Sequence, residues 1–170
     1  MAGALSLTSV LQRESIALMK LAVLHREYAL RGRIDDAAPV TSESGIVVDA
    51  GPDRVWAVLA DLRSWPEWSP KRRVLRLGEM APGVSFRWRL GFVTINSTFA
   101  VVDPGRELTW SGIVAGYKAV DQQVLEALPD GRTRVTMRES LDGPLVKVLF
   151  PAARLRAAHE EYLRELQRAV

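Results

Sequence analysis

Pro52-Asp53-Arg54-Val55-Trp56-Ala57-Val58-Leu59-Ala60-Asp61-Leu62-Arg63-Ser64-Trp65-Pro66-Glu67-Trp68-Ser69-Pro70 is the stretch on which the fold turns. It holds Trp56, Trp65 and Trp68, three of the chain's five tryptophans. The spacing predicts a short amphipathic helix over Asp53 to Leu62. Pro66 removes a backbone donor and restricts Trp65 before it, so the helix breaks there and restarts as a tight, aromatic-lined corner. Ahead of it Gly45-Ile46-Val47-Val48-Asp49-Ala50 reads as a strand. Behind it comes a series of strands, then one long helix. Strand, broken helix, many strands, long helix is the order of an α+β domain in which a curved sheet wraps a helix and leaves room for a ligand.

The later strands are expected at Arg73 to Leu77, Ser85 to Leu90, Thr94 to Val102, Glu107 to Val114, Ala119 to Leu128 and Thr133 to Leu141. Turn signals at Ala81-Pro82-Gly83, Asp103-Pro104-Gly105, Gly116 and Pro129-Asp130-Gly131 separate them. Connections this short favour antiparallel neighbours, because parallel strands need long crossovers. The last helix runs from Pro144 to Ala169, with Pro151 expected to kink it or split off its first turns.

At 170 residues, 48% apolar and 25% charged, the chain can bury one full core. With no cysteine there are no disulfides, thiolate nucleophiles or thiolate metal sites. A net charge of +3 without a clustered basic face argues against a nucleic-acid partner, the densest group (Lys71, Arg72, Arg73, Arg76) being short. No segment reaches the ~20 apolar residues of a membrane span. The N-terminal run Ile16 to Leu24 is interrupted by Lys20 and reads poorly as a signal peptide, so a cytoplasmic location is expected. Metal-ligand clusters, phosphate-cradling glycine loops and nucleophile elbows are lacking, and no cofactor is expected.

Residues 8 to 31 read as a helix, capped by Thr8 or Ser9, with Arg13, Lys20 and Glu27 on one polar stripe. It packs on the domain or on a second copy of the chain as a homodimer, or acts as a lid or an interfacial membrane anchor. Ile34 to Glu43 reads as a linker. The division is thus 1–43, an N-terminal extension, and 44–170, the core domain.

Alternation assigns the faces of the strands. Phe86, Trp88 and Leu90 point in while Arg87 and Arg89 point out. Leu108 and Trp110 share a face with Gly112, and Val135 and Met137 share one with Glu139. For the strand near 121 two registers stay open: Asp121, Gln123 and Leu125 inward, which we favour, or Val120, Gln122 and Val124. The first gives an apolar interior with sparse polar anchors, the composition of a small-molecule pocket. An inward Asp121 or Glu139 must pair, stay protonated or meet water. Candidate catalytic groups are Asp121 and Glu139 as acid or base, with Arg87 or Arg89 reaching the rim to stabilise developing negative charge. Candidate ligand contacts are Trp56, Trp65, Trp68, Phe86, Trp88, Phe99, Trp110, Tyr117, Gln123, Met137 and Leu149.

Several pieces together resemble the START-like, Bet v 1-like (SRPBCC) superfamily, in particular its polyketide cyclase/dehydrase branch. They are Ile46 to Trp56, Asp61-Leu62 to Trp65-Pro66-Glu67-Trp68, Pro104 to Trp110, Gly131 to Val135 and Glu139 to Leu145. The resemblance implies a helix-grip fold, seven antiparallel strands gripping the C-terminal helix around a hydrophobic cavity. It also implies a small hydrophobic ligand: a lipid, sterol, polyketide or hormone. Two departures stand out. Many relatives carry a histidine where this chain has Asp121, and the tyrosine expected after the Trp-Pro corner is replaced by Lys71-Arg72-Arg73.

The functional expectation is a cyclase acting on a polyketide-like hydrophobic substrate, with the cavity supplying the reactive conformer. The alternatives are a carrier or sensor of a lipid-like ligand, or a membrane-surface lipid handler anchored by the N-terminal helix.

Overall fold

The computed structural model describes residues 18–170. The expectations for Thr8, Ser9 and Arg13 fall outside them. The described part of the first helix, α1, runs from 18 to 27, and a 3-10 turn follows at Ala29–Arg31. The sheet strands are β1 (Val40–Val48), β2 (Arg72–Arg76), β3 (Ser85–Leu90), β4 (Val93–Asp103), β5 (Glu107–Val114), β6 (Tyr117–Ala127) and β7 (Thr133–Asp142). They form one antiparallel sheet in the order β1-β7-β6-β5-β4-β3-β2. Between β1 and β2 lie α2 (Pro52–Leu59), a 3-10 turn at Leu62–Ser64 and α3 (Trp65–Trp68). After β7 come α4 (Val146–Leu149) and α5 (Ala152–Ala169), divided at Pro151 as the sequence predicts. This is the α+β helix-grip architecture, with an added N-terminal helix.

The Trp-Pro corner forms because proline is tolerated in the first turn of a helix, where its missing N–H would have no partner. Pro52 and Pro66 therefore restart the chain rather than merely break it. Trp65, buried there, meets Trp88 edge-on at 5.3 Å and Trp110 at 6.4 Å. Phe86 stacks on Phe99 at 4.3 Å and meets Trp110 edge-on at 5.8 Å. Offset and edge-to-face contacts of this kind add about 0.5–1.5 kcal/mol each beyond the area they bury. The α5 stripe of Tyr162, Leu163 and Leu166 closes this core from the other side.

Two boundaries differ from expectation for one reason. The first strand begins at Val40, not Gly45, and Ile34 is buried rather than part of a linker. The chain from α1 to β1 is a strap across the outer face of the sheet. Ala29 and Ile34 pack on Ala100 and Val120, with Leu24 and Tyr28 alongside. Polar contacts fasten it: Gln122 Nε2 donates to the Gly32 carbonyl at 2.6 Å, and His25 Nδ1 lies 2.9 Å from Ser111 Oγ. Gly32 adopts φ +59°, and a Cβ there would stand 2.8 Å from Glu107 Oε1. Among the described residues no helix is long and apolar enough to cross a membrane.

Candidate functional site

Between the inner face of the sheet and α5 lies a cavity of about 210 Å3. Its walls are mostly apolar: Trp88, Ile95, Trp110, Val114, Met137, Leu141, Phe150 and Leu155. Its polar groups are Arg72, Ser97, Tyr117, Asp121, Glu139 and His159. A more open groove of about 830 Å3 lies beside Leu18, Leu21 and Arg87, with no carboxylate or imidazole among the described residues that line it. The cavity against α5 brings two carboxylates, an imidazole and a guanidinium into one mostly apolar lining.

The register that brings Asp121 inward is the one the structure adopts. Asp121 sits directly across from Glu139 on β7 and from Trp110 on β5. β6 was ambiguous in the sequence because Val120, Asp121, Gln122 and Gln123 are all buried, the strap covering the outer pair and the core the inner one. With water excluded from both faces, the alternation that marks a half-buried strand disappears.

Glu139 Oε2 lies 2.8 Å from His159 Nε2, so a helix residue and a strand residue form an imidazole–carboxylate pair at the cavity wall. His159 Nδ1 is buried without a partner among the described residues. Asp121 Oδ1 accepts a hydrogen bond from Gln123 Nε2 at 3.1 Å, and Gln123 Oε1 accepts one from Tyr162 Oη at 3.3 Å. Burial raises the Asp121 carboxyl from 3.8 to about 7, and the neighbouring Glu139 charge pushes the same way. His159, the Gln123 hydrogen bond and Arg72 oppose that rise. Two carboxylates facing each other in an apolar setting resist ionising together, so Asp121 is poised to hold a proton near neutrality.

Arg72 is the cation of this site. Its guanidinium lies 4.0 Å from the centre of the Tyr162 ring, Nη1 donates to Ser69 Oγ at 3.0 Å, and Glu165 Oε2 lies 3.8 Å away. Arg87 and Arg89 do not reach the cavity. β3 alternates, so with Phe86 and Trp88 buried inward both arginines stand on the opposite face. β2 begins at Arg72 rather than Arg73, which turns Arg72 inward opposite Leu90.

Of the anticipated ligand contacts, Trp88, Trp110, Tyr117 and Met137 line the cavity. Trp65, Phe86 and Phe99 lie in the core beside it, and Trp56 and Trp68 pack at the core's edge, Trp68 against Tyr162 at 5.4 Å. Gln123 is buried and hydrogen-bonds Asp121, and Leu149 is exposed on α4. Two contributors, His159 and Arg72, were missed as site residues. A signal for His159 existed: Leu155, His159, Tyr162 and Leu166 follow one another at the four- and three-residue steps of a single helical face.

The profile of the family described as "Polyketide cyclase / dehydrase and lipid transport" matches residues 39–170. No curated protein matches the chain. Similar folds occur in a hypothetical protein from Helicobacter pylori (TM-score 0.68, 16% identity, 80% of this chain and 90% of that one). A START superfamily protein from Mycobacterium smegmatis gives TM-score 0.62 and 15% identity over 76% of this chain and 96% of that one. DynU16, a protein of the dynemicin biosynthetic locus, gives TM-score 0.63 and 22% identity over 75% of this chain. The match spans about half of DynU16, 46% of its length.

Proposed function

This protein belongs to the polyketide cyclase/dehydrase and lipid transport family, and from that footing we propose that it is an acid–base cyclase of a compact, polyketide-like substrate. The observation that carries the reading is the convergence of Asp121, Glu139 and His159 at one end of an apolar cavity. A protonated Asp121 donates a hydrogen bond to a ketone oxygen. The Glu139–His159 pair takes the proton from the carbon beside a second carbonyl. The enolate carbon then attacks the polarised ketone, a carbon–carbon bond forms, and Asp121 gives its proton to the new alkoxide. Returning the proton from the pair to Asp121, which it faces across the strands, resets the site. Arg72 adds positive potential while the enolate is charged. The tryptophan walls hold the chain folded, which removes much of the entropic barrier to closure. At about 210 Å3 the cavity favours a substrate of one or two rings over a full sterol.

The test is turnover of a linear diketone whose aldol closure and dehydration give a conjugated cyclohexenone, followed by ultraviolet absorbance. Wild type is expected to turn over, and Asp121→Asn and Glu139→Gln to lose roughly 100-fold or more while still binding the product. Absence of turnover, with a lipid extracted from the purified protein, would favour a carrier instead.

A further inference from the structure

The acid–base reading uses the polar end of the cavity and leaves its mouth unexplained. Two turns border that mouth. The β3–β4 turn carries Leu90, Phe92 and Val93, and the segment between β7 and α5 carries Leu145, Val148 and Leu149. Leu90 and Val93 line the cavity from the β3–β4 turn, and Phe150 lines it from the segment before α5, so both segments border the same cavity. Phe92 is fully exposed, and Leu145 and Val148 are 73% and 74% exposed. Leu145 is also strained, with φ +52° in the left-handed region that glycine or asparagine occupies more readily. The Leu145 carbonyl caps α4, accepting from the Val148 and Leu149 amides at 2.9 and 3.0 Å, while its side chain packs on little of the described chain.

The charge around these turns is of one sign. There is no Asp or Glu from Met80 to Val102, nor from Gly143 to His159. The Gly91 amide donates to the Lys71 carbonyl at 2.7 Å, which sets the Lys71-Arg72-Arg73 cluster against the β3–β4 turn, and Arg73 lies opposite Arg89. Lys71 pairs with Glu161 and Arg72 reaches Glu165. Arg73, Arg89 and Lys147 meet no carboxylate among the described residues.

We propose that the cavity mouth docks on an anionic lipid bilayer, with Phe92, Leu145 and Val148 entering the headgroup–acyl boundary and Arg73, Arg89 and Lys147 facing the lipid phosphates. A bilayer fits better than an acidic protein. The apolar side chains protrude singly from the β3–β4 turn and from the short α4 segment beside the cavity, whereas a protein interface needs a packed central patch and a pocket for each anchor. Docked this way, the cavity opens toward the phase in which an apolar ligand dissolves.

The experiment is co-sedimentation of the full chain with vesicles of phosphatidylglycerol and phosphatidylcholine, against phosphatidylcholine alone, at two salt concentrations. It reads binding without turnover, so it stands or falls separately from the cyclase reading. The expected result is binding to the anionic vesicles that weakens with salt. Phe92→Asp and Leu145→Gly should each reduce the bound fraction by roughly tenfold. The unfolding midpoint of Leu145→Gly should stay the same or rise as strain is relieved, which separates lost docking from lost folding. Val23→Ser, on the exposed face of α1, should leave binding unchanged. Failure of the wild type to bind anionic vesicles would overturn the proposal and leave a protein partner in its place. Binding that survives Phe92→Asp but not Val23→Ser would also overturn it, by moving the contact to α1.

Discussion

Asp121 pays for its place in the cavity wall with its charge. Its carboxyl is raised from 3.8 to about 7, so between those values the unfolded chain has released a proton that the native state still holds. Native protein then binds more protons than unfolded, and stability falls as pH rises through this window before levelling off above it. Asp121→Asn removes the effect. The stability of wild type relative to Asp121→Asn should therefore decline with rising pH, at up to about 1.4 kcal/mol per pH unit. Urea unfolding of both proteins at several pH values checks this, and parallel profiles would mean that Asp121 ionises freely. The same scale shows why part of the site was hidden in the sequence. Asp121 and Glu139 were legible because strand alternation ties them to the apolar Leu125 and Met137. Arg72 was not, because the expected strand began one residue after it and gave it no face, and three basic neighbours made it look like solvated surface.

The elements around the cavity depend on close approach. Gly112 on β5 lies where a Cβ would stand 2.9 Å from Ser97 Oγ, and that hydroxyl accepts the Trp88 Nε1 hydrogen bond at 3.0 Å. Gly112→Ala should displace Ser97 and leave a buried indole N–H unsatisfied, costing about 1 to 3 kcal/mol. Urea unfolding measures the loss, and a shift in tryptophan emission would place it at Trp88. The broken first helix and the divided last one were both legible, since Pro66 and Pro151 act through local backbone chemistry that needs no tertiary partner. The roll of α5 was harder to read. Its stripe includes His159 and Glu165, polar side chains that look outward by composition and are buried because Glu139, Ser69 and Arg72 await them.

At the scale of the whole molecule, the strap from α1 to β1 makes the sheet a middle layer. Its composition, with Asp35, Asp36 and Pro39, suggested a linker; its burial depends on an outer sheet face that only the assembled strands create. Ile34→Ala should accordingly destabilise the entire domain by about 2 to 5 kcal/mol, as a core truncation does. A single urea transition moved to lower concentration would show that the strap unfolds with the sheet, and a separate early transition would show that it does not.

β6 draws a last consequence from that layering. It is hydrogen-bonded to β5 along one edge and β7 along the other, with α5 and the core beneath it and the strap above. Its amides have no local route to water, so they should trade hydrogen for deuterium only when the whole domain opens. The exchange rates of Val120 to Val124 would then read out the global unfolding free energy under native conditions. Any ligand that occupies the cavity should slow those amides by the amount it stabilises the fold, so Asp121's own strand serves as a gauge of binding before any substrate is known.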